Sequence, residues 1–302
     1  MNLKQKLIEN NTLLLDGGFA TTLESLGCSI NSSLWSAEIL KTNPDMIAQV
    51  HQLFSQAGAD IILTNTYQAA YPSFRNAGFH SDEIDQFLKT AVNTARSSQT
   101  DSVLVASLGP YAAYLTDGSE YTGDYNVSDD VYLSYHKERI QTLINYGITD
   151  FVFEAVPNFD EIKALTETVI PYFKQYDLTF WLSCTVGNTG DLSDGTDFQK
   201  VCEYIADHPD EWSVFGINCS TIQGIEASLS KGMLDVPQYT ALYPNGGKTY
   251  DAVTKTWSGK DQTDILFTHA AEWQEKGVNI IGGCCGILPK DIRTLADIIH
   301  QK

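Results

Sequence analysis

Short apolar runs rich in β-branched residues recur along this chain, and each breaks off into polar or glycine-containing residues. They read LLLDGG (13–18), DIILTNTY (60–67), SVLVASLGP (102–110), DFVFEAVPN (150–158), TFWLSCT (179–185), SVFGINCS (213–220), YTALYPNGG (239–247) and VNIIGGCCG (278–286). The stretches between them carry helical spacing instead. In 36–57, Ile47, Val50, Phe54 and Ala57 fall along one stripe and Gly58 supplies a stop. Similar patterns cover 82–96, 129–146, 159–174, 196–206, 222–231, 262–276 and 289–301. Strands alternating with helices imply βαβ units and a parallel sheet. Eight such units predict an α/β fold, a single TIM-type (β/α)8 barrel over 1–302, with a doubly wound open sheet as the competitor.

A barrel places its active site at the carboxyl ends of the strands. Most of the eight runs end there in chemically capable or glycine-rich residues: Asp16-Gly17-Gly18, Thr64-Asn65-Thr66, Glu154, Asn218-Cys219 and Gly282-Gly283-Cys284-Cys285. Polar loops are common in any barrel, so the pattern supports a top-face site without proving one.

Composition narrows the classes. The 302 residues are 43% hydrophobic, enough for a large core, and the formal charge of −19 argues against nucleic acid as a partner. That charge favours cationic substrates at long range, although solubility explains it equally well. The N-terminus has no apolar signal region, and no stretch approaches the ~20 apolar residues of a membrane helix. A cytoplasmic protein is expected, a monomer or small homo-oligomer that uses no membrane. Thiols stay reduced in that compartment, so Cys28, Cys184, Cys202, Cys219, Cys284 and Cys285 read as core residues, metal ligands or nucleophiles, not a disulfide framework.

Cys219 ends the sixth run and Cys284-Cys285 end the eighth, so a barrel brings three sulfurs together. Adjacent strand residues point to opposite faces, so both cysteines of the pair reach one point only if the chain turns sharply there. Gly282, Gly283 and Gly286 are expected to permit this through positive φ. Three sulfurs with an open fourth position suit catalytic zinc. Buried structural cysteine and a vicinal-disulfide switch remain open, with Cys28, Cys184 and Cys202 assigned to packing. Asp16 reads equally as a substrate ligand and as a cap for the following segment. The six histidines are assigned ordinary surface roles. Trp35, Trp181, Trp212, Trp257 and Trp273 are assigned to core or rim, any one of them a candidate to face a cation.

Seven segments, DGGFATTLE (16–24), LTNTYQA (63–69), ASLGPYAAYLTDGSEYTGDY (106–125), FEAVPN (153–158), GINC (216–219), YPNGG (243–247) and GGCCG (282–286), together resemble the homocysteine S-methyltransferase family, especially its members that use S-methylmethionine or S-adenosylmethionine. They span essentially the whole chain in family order. The resemblance implies a (β/α)8 barrel with zinc on Cys219, Cys284 and Cys285. It implies Asp16 and Glu154 near the amino group of homocysteine, the Gly17-Gly18 backbone near its carboxylate, and Tyr67 on the donor side. Departures are Ala155 where Thr or Ser is frequent, which removes one hydrogen bond, YPNGG in place of YPNSG, and Ala112 where Gly is common.

A free thiol, with a pKa of about 8.5, is mostly protonated at neutral pH, whereas a metal-bound one is deprotonated. Three cysteinates make the zinc centre formally anionic, which predicts an electron-rich homocysteine sulfur and a cationic sulfonium donor. Selenocysteine as acceptor and betaine as donor are the enzymatic alternatives. Betaine is disfavoured because betaine-using relatives carry a C-terminal extension, and methylfolate with cobalamin for want of further domains. A zinc or thiol redox sensor is the alternative from another class; such a sensor has no need of the acids Asp16 and Glu154.

Overall fold

The computed structural model describes residues 2–28, 39–98, 101–247, 249–251, 256–258 and 261–300, with the backbone alone for 249–251 and 256–258. All eight apolar runs form strands: β1 (Leu13–Leu14), β2 (Ile61–Leu63), β3 (Val103–Leu108), β4 (Asp150–Val156), β5 (Thr179–Cys184), β6 (Val214–Asn218), β7 (Tyr239–Tyr243) and β8 (Ile280–Ile281). Their pairing is parallel throughout, in the order β1-β8-β7-β6-β5-β4-β3-β2. A parallel bridge from Leu15 to Ile61 joins the sheet's two ends, so the barrel is the outcome and the open sheet is excluded.

The two-residue period of the strands sorts their side chains. Val103, Val105, Val152, Trp181, Val214 and Ala241 fill the barrel interior, while Phe151, Phe153, Phe180, Phe215 and Leu242 face the surrounding helices. A helix that the spacing did not announce, Leu3–Glu9, presents Leu3 and Leu7 to the interior from the amino end of the strands. Its start is fixed by a capping box between Asn2 and Gln5, and Asp150 at the foot of β4 accepts the Leu3 N–H at 3.4 Å.

The predicted helices lie where the spacing put them, with local breaks. Within 36–57, residues 36–38 fall outside the described residues. The remainder divides into Ile39–Thr42 and Pro44–Ala57, because Pro44 has no N–H to continue a helix but suits its first turn. Gly58 closes the second helix at φ +103°, as a stop signal should. The stretch predicted as 159–174 contains one wide turn, Leu165–Val169, just before Pro171, whose ring removes a helical donor. A short antiparallel hairpin, Thr249–Asp251 with Thr256–Ser258, is inserted after β7 and was not foreseen. Among the described residues no helix is long and apolar enough to cross a membrane.

Candidate active site

A cavity of about 170 Å³ opens at the carboxyl ends of the strands. Its lining includes all the residues named for zinc and for substrate: Asp16, Gly17, Gly18, Tyr67, Glu154, Cys219, Cys284 and Cys285. The three sulfurs lie within 4.8 Å of one another, with 3.6 Å between those of Cys219 and Cys285. A disulfide needs about 2.05 Å, and all six cysteines are free. A tetrahedral zinc with bonds of about 2.3 Å holds its sulfurs roughly 3.8 Å apart, so the spacing fits a metal.

How the sulfurs converge differs from expectation. Of the three glycines around the pair, only Gly286 has positive φ, at +87°. Gly282 and Gly283 are there because there is no room for more: a Cβ on Gly282 would stand 2.6 Å from Leu15 Cβ, and one on Gly283 2.3 Å from the Ile287 side chain. Cys219 itself takes the left-handed conformation, φ +47°, at the end of β6. A non-glycine residue there stores strain that surrounding structure must hold. Asn245, from YPNGG, does much of this. Its side-chain N–H donates to the Cys219 carbonyl at 3.1 Å, its backbone N–H to the Ser220 carbonyl at 3.1 Å, and Gly246 N–H donates to the Cys285 carbonyl at 2.7 Å. That loop ties both cysteine segments together.

Between the sulfurs, hydrogen bonds lower the pKa of one thiol and raise that of its neighbour, and burial pushes all three well above the ordinary value. Without a cation they keep their protons.

The acids enter from two other strands. Asp16 is almost wholly buried and accepts the Leu63 N–H of β2 at 2.9 Å. It does not cap the following helix, Phe19–Ser25, whose N-cap is Gly18 with no side-chain bond. Glu154 leaves β4 at an irregularity in the ladder between Phe153 and Val156, where Ala155 adopts φ +53°. The Ser107 hydroxyl donates to its carboxylate. Asn218 links acid to sulfur, accepting the Ala155 N–H at 2.8 Å and pointing its own N–H at Cys284 Sγ, 3.9 Å away. Desolvation raises the Asp16 pKa well above the usual range, with the charge of Glu154 adding to it, and raises that of Glu154 to about 7.

Gly17 and Gly18 are shaped by close approach. Added Cβ atoms would lie 2.6 Å from the Ile287 carbonyl and 2.7 Å from the Cys284 carbonyl respectively. The Gly18 N–H is already spent on the Ile287 carbonyl at 2.8 Å. Gly17 and the first-turn residues Phe19, Ala20 and Thr21 also line the cavity, and a helix's first-turn N–H groups have no partner within the helix.

Several lining residues escaped the sequence reading. Glu120 and Tyr121 reach the cavity from a one-turn helix, Ser119–Tyr121. Burial raises the Glu120 carboxyl to about 7. Tyr67 does line the cavity, and its aromatic companions are Phe19 and Tyr121. None of the described tryptophans joins them: Trp181, Trp212 and Trp273 are fully buried, while the side chains of Trp35 and Trp257 lie outside the described residues. The surface role expected of the histidines fails for two of them. His51 and His136 are completely buried, although no histidine is among the described residues lining the cavity. Among the described lining residues there is also no lysine or arginine.

His136 belongs to a buried network behind the site. Arg139 donates to its Nδ1 at 2.9 Å, to the Tyr67 carbonyl at 3.0 Å and to the Gly109 carbonyl at 3.1 Å. Because Nδ1 accepts from a guanidinium, Nε2 carries the proton and faces Glu161 at 3.5 Å. Glu161 also accepts the Tyr111 N–H at 2.9 Å and the Tyr125 hydroxyl. Arg139→Met should leave two carbonyls and a ring nitrogen without donors and destabilise the fold by about 3 kcal/mol or more, measurable by denaturant unfolding.

Glu161 also makes stability pH-dependent. Burial raises its pKa to about 7 in the folded protein, above the ordinary carboxylate value, against the pull of its donors. The folded state therefore keeps a proton that the unfolded chain has released, and stability falls as pH rises through this window. The melting temperature should drop between pH 5 and pH 8, and Glu161→Gln should drop less; equal slopes would refute the assignment.

The barrel and the site together make a (β/α)8 protein with three thiols and buried acids around one cavity at the carboxyl ends of its strands. A profile of the homocysteine S-methyltransferase family matches residues 13–299. Homocysteine S-methyltransferase of Escherichia coli (strain K12) is 37% identical over 306 residues, covering 97% of each chain. Homocysteine S-methyltransferase YbgG of Bacillus subtilis (strain 168) is 34% identical over 311 residues, 98% of this chain and 97% of its own. Among solved structures, the metallated form of the Escherichia coli homocysteine methyltransferase MmuM superposes with a TM-score of 0.83 at 34% identity, over 97% of this chain and 98% of that one. Its oxidized form gives 0.84 at 32% identity over the same shares. The chain belongs to the homocysteine S-methyltransferase family, and it is a methyltransferase.

Proposed function

We propose that this enzyme moves a methyl group from a sulfonium donor, S-methylmethionine or S-adenosylmethionine, to the thiol of homocysteine, with zinc held by Cys219, Cys284 and Cys285, and so makes methionine. The observation that carries the reading is the single cavity lined by three thiols and by Asp16, Glu154 and Glu120, with no cationic side chain among its described lining residues. Such a wall suits cations: a metal, an α-ammonium and a sulfonium.

Bound zinc would supply the positive charge that keeps both the cysteines and the substrate thiol deprotonated near neutral pH. The chain's own contribution is placement. Asp16 and Glu154 would take the α-ammonium of homocysteine through charge-assisted hydrogen bonds, which relieves the cost of burying two carboxylates. The N–H groups of Gly17 and of the Phe19–Ser25 first turn would take its carboxylate. Tyr67 forms part of the wall on the donor side. The described lining offers no histidine or lysine to act as a base at the sulfur.

The test incubates purified, zinc-analysed protein with homocysteine and one donor at a time, and measures methionine. Product is expected with a sulfonium donor and none with betaine or methylfolate. Methionine from betaine alone would overturn the donor assignment, and full activity in metal-free protein would overturn the zinc.

A further inference from the structure

We propose that Glu120 is the donor-recognition residue, the counter-ion for the positive charge of the sulfonium substrate, with the rings of Tyr67 and Tyr121 beside it. This rests on the function proposed above and assigns a subsite within it.

The acids of the cavity come from two kinds of position. Asp16 follows β1 and Glu154 lies in β4, held by the Leu63 N–H and the Ser107 hydroxyl, and the charge of Glu154 bears on Asp16. Glu120 comes instead from the one-turn helix Ser119–Tyr121 after β3, with Tyr121 next to it in the cavity wall. Tyr67 lines the same cavity, where the charges of both Glu120 and Glu154 bear on its hydroxyl. The reaction needs two cationic groups beside one metal, the acceptor's ammonium and the donor's sulfonium. Two separated anionic groups answer that requirement, and the acceptor's ammonium takes only one of them.

Glu120 is half-buried, and its carboxylate has no hydrogen bond or ion pair among the described residues. A carboxylate so placed costs stability unless a ligand compensates it. Nor is it a side chain on a slack loop. The segment carrying it is pinned where it leaves β3, by Arg139 on the Gly109 carbonyl and by Glu161 on the Tyr111 N–H. It is pinned again beyond Tyr121, where the Asn158 side chain donates to the carbonyls of Gly123 at 2.8 Å and Tyr125 at 3.1 Å. Asp117 accepts the Ser119 N–H at 3.0 Å and fixes the turn itself. A rigid frame that holds an uncompensated anion beside two tyrosine rings is a cation site, since aromatic faces attract a cation electrostatically.

The experiment compares wild type, Glu120→Gln and Glu120→Asp with S-methylmethionine as donor, and measures the KM of each substrate, kcat, zinc content and homocysteine affinity in the absence of donor. Glu120→Gln should raise the donor KM about tenfold or more, the loss expected for one charge-assisted contact, while homocysteine affinity and zinc content stay as in wild type. Glu120→Asp should recover part of the donor affinity. An unchanged donor KM in Glu120→Gln, or homocysteine affinity falling as far as donor affinity, overturns the assignment and leaves the proposed reaction standing. A wild-type enzyme that takes methyl from no sulfonium donor overturns the reaction and the assignment together.

Discussion

Cys219→Ala is expected to lose its zinc and to lose turnover by roughly a thousandfold or more, a deficit of about 4 kcal/mol in transition-state stabilisation. The substitution isolates the sulfur. Cys219 sits at φ +47°, and alanine meets the same left-handed strain as cysteine, so the backbone cost is shared by both proteins. The Asn245 hydrogen bond goes to the Cys219 carbonyl, which alanine keeps. Only one corner of the sulfur triangle disappears. Cys284→Ala and Cys285→Ala should behave alike, whereas Cys28→Ser, outside the three-sulfur cluster, should retain metal and activity. Prolonged dialysis against a chelator should copy the loss of zinc and turnover in wild type, and added zinc should reverse it. Zinc retained at full occupancy by Cys219→Ala, measured by atomic absorption, would falsify the ligand assignment.

How much of this was legible beforehand depends on what each feature requires of the side chain. The eight strands were readable because a barrel buries both faces of each strand, and runs such as SVLVASL and DFVFEAV record that burial directly. The acids at 16 and 154 and the cysteines at 219, 284 and 285 were readable because chemistry-bearing residues stand where apolar runs stop. The helix Leu3–Glu9 was not, since it shows only Leu3 and Leu7 to the core and its other positions look like a polar terminus. The left-handed turns at Cys219 and Ala155 were also hidden, because φ there is imposed by neighbours on other strands and not by the residue's own preference. The opposite error occurred at Gly282 and Gly283. Glycine suggested unusual dihedrals, and the true constraint is the close passage of Leu15 and Ile287.

Buried polar groups were the other blind spot. His136, Arg139 and Glu161 sit in helical stretches, where a charged residue ordinarily marks the solvated face. Here the three compensate one another inside the protein, and they hold the segment that brings Glu120 and Tyr121 to the cavity. No local spacing announces such a network, because its members meet only after the barrel has closed. The family likeness did contain the segment, as ASLGPYAAYLTDGSEYTGDY, but likeness alone did not say which of its residues face the substrate.

The second large effect concerns the acids. Asp16→Asn and Glu154→Gln are each expected to weaken homocysteine binding by about 10- to 100-fold, the range for one charge-assisted hydrogen bond, while zinc content stays at the wild-type level. Both replacements keep an oxygen acceptor, so the Leu63 N–H and the Ser107 hydroxyl can remain bonded. What is lost is charge. Burial has raised both carboxyl pKa values, that of Glu154 to about 7, so the folded ligand-free protein holds protons that the unfolded chain gives up. By linkage, these groups cost stability as pH rises through that window, and a neutral amide escapes the cost. Each variant should therefore melt at or above the wild-type temperature at pH 8 even though it binds homocysteine more weakly. Opposite signs in binding and stability mark acids kept for a cationic ligand at the expense of the empty fold. A variant that loses stability and homocysteine affinity together would show instead that the carboxylate serves the architecture.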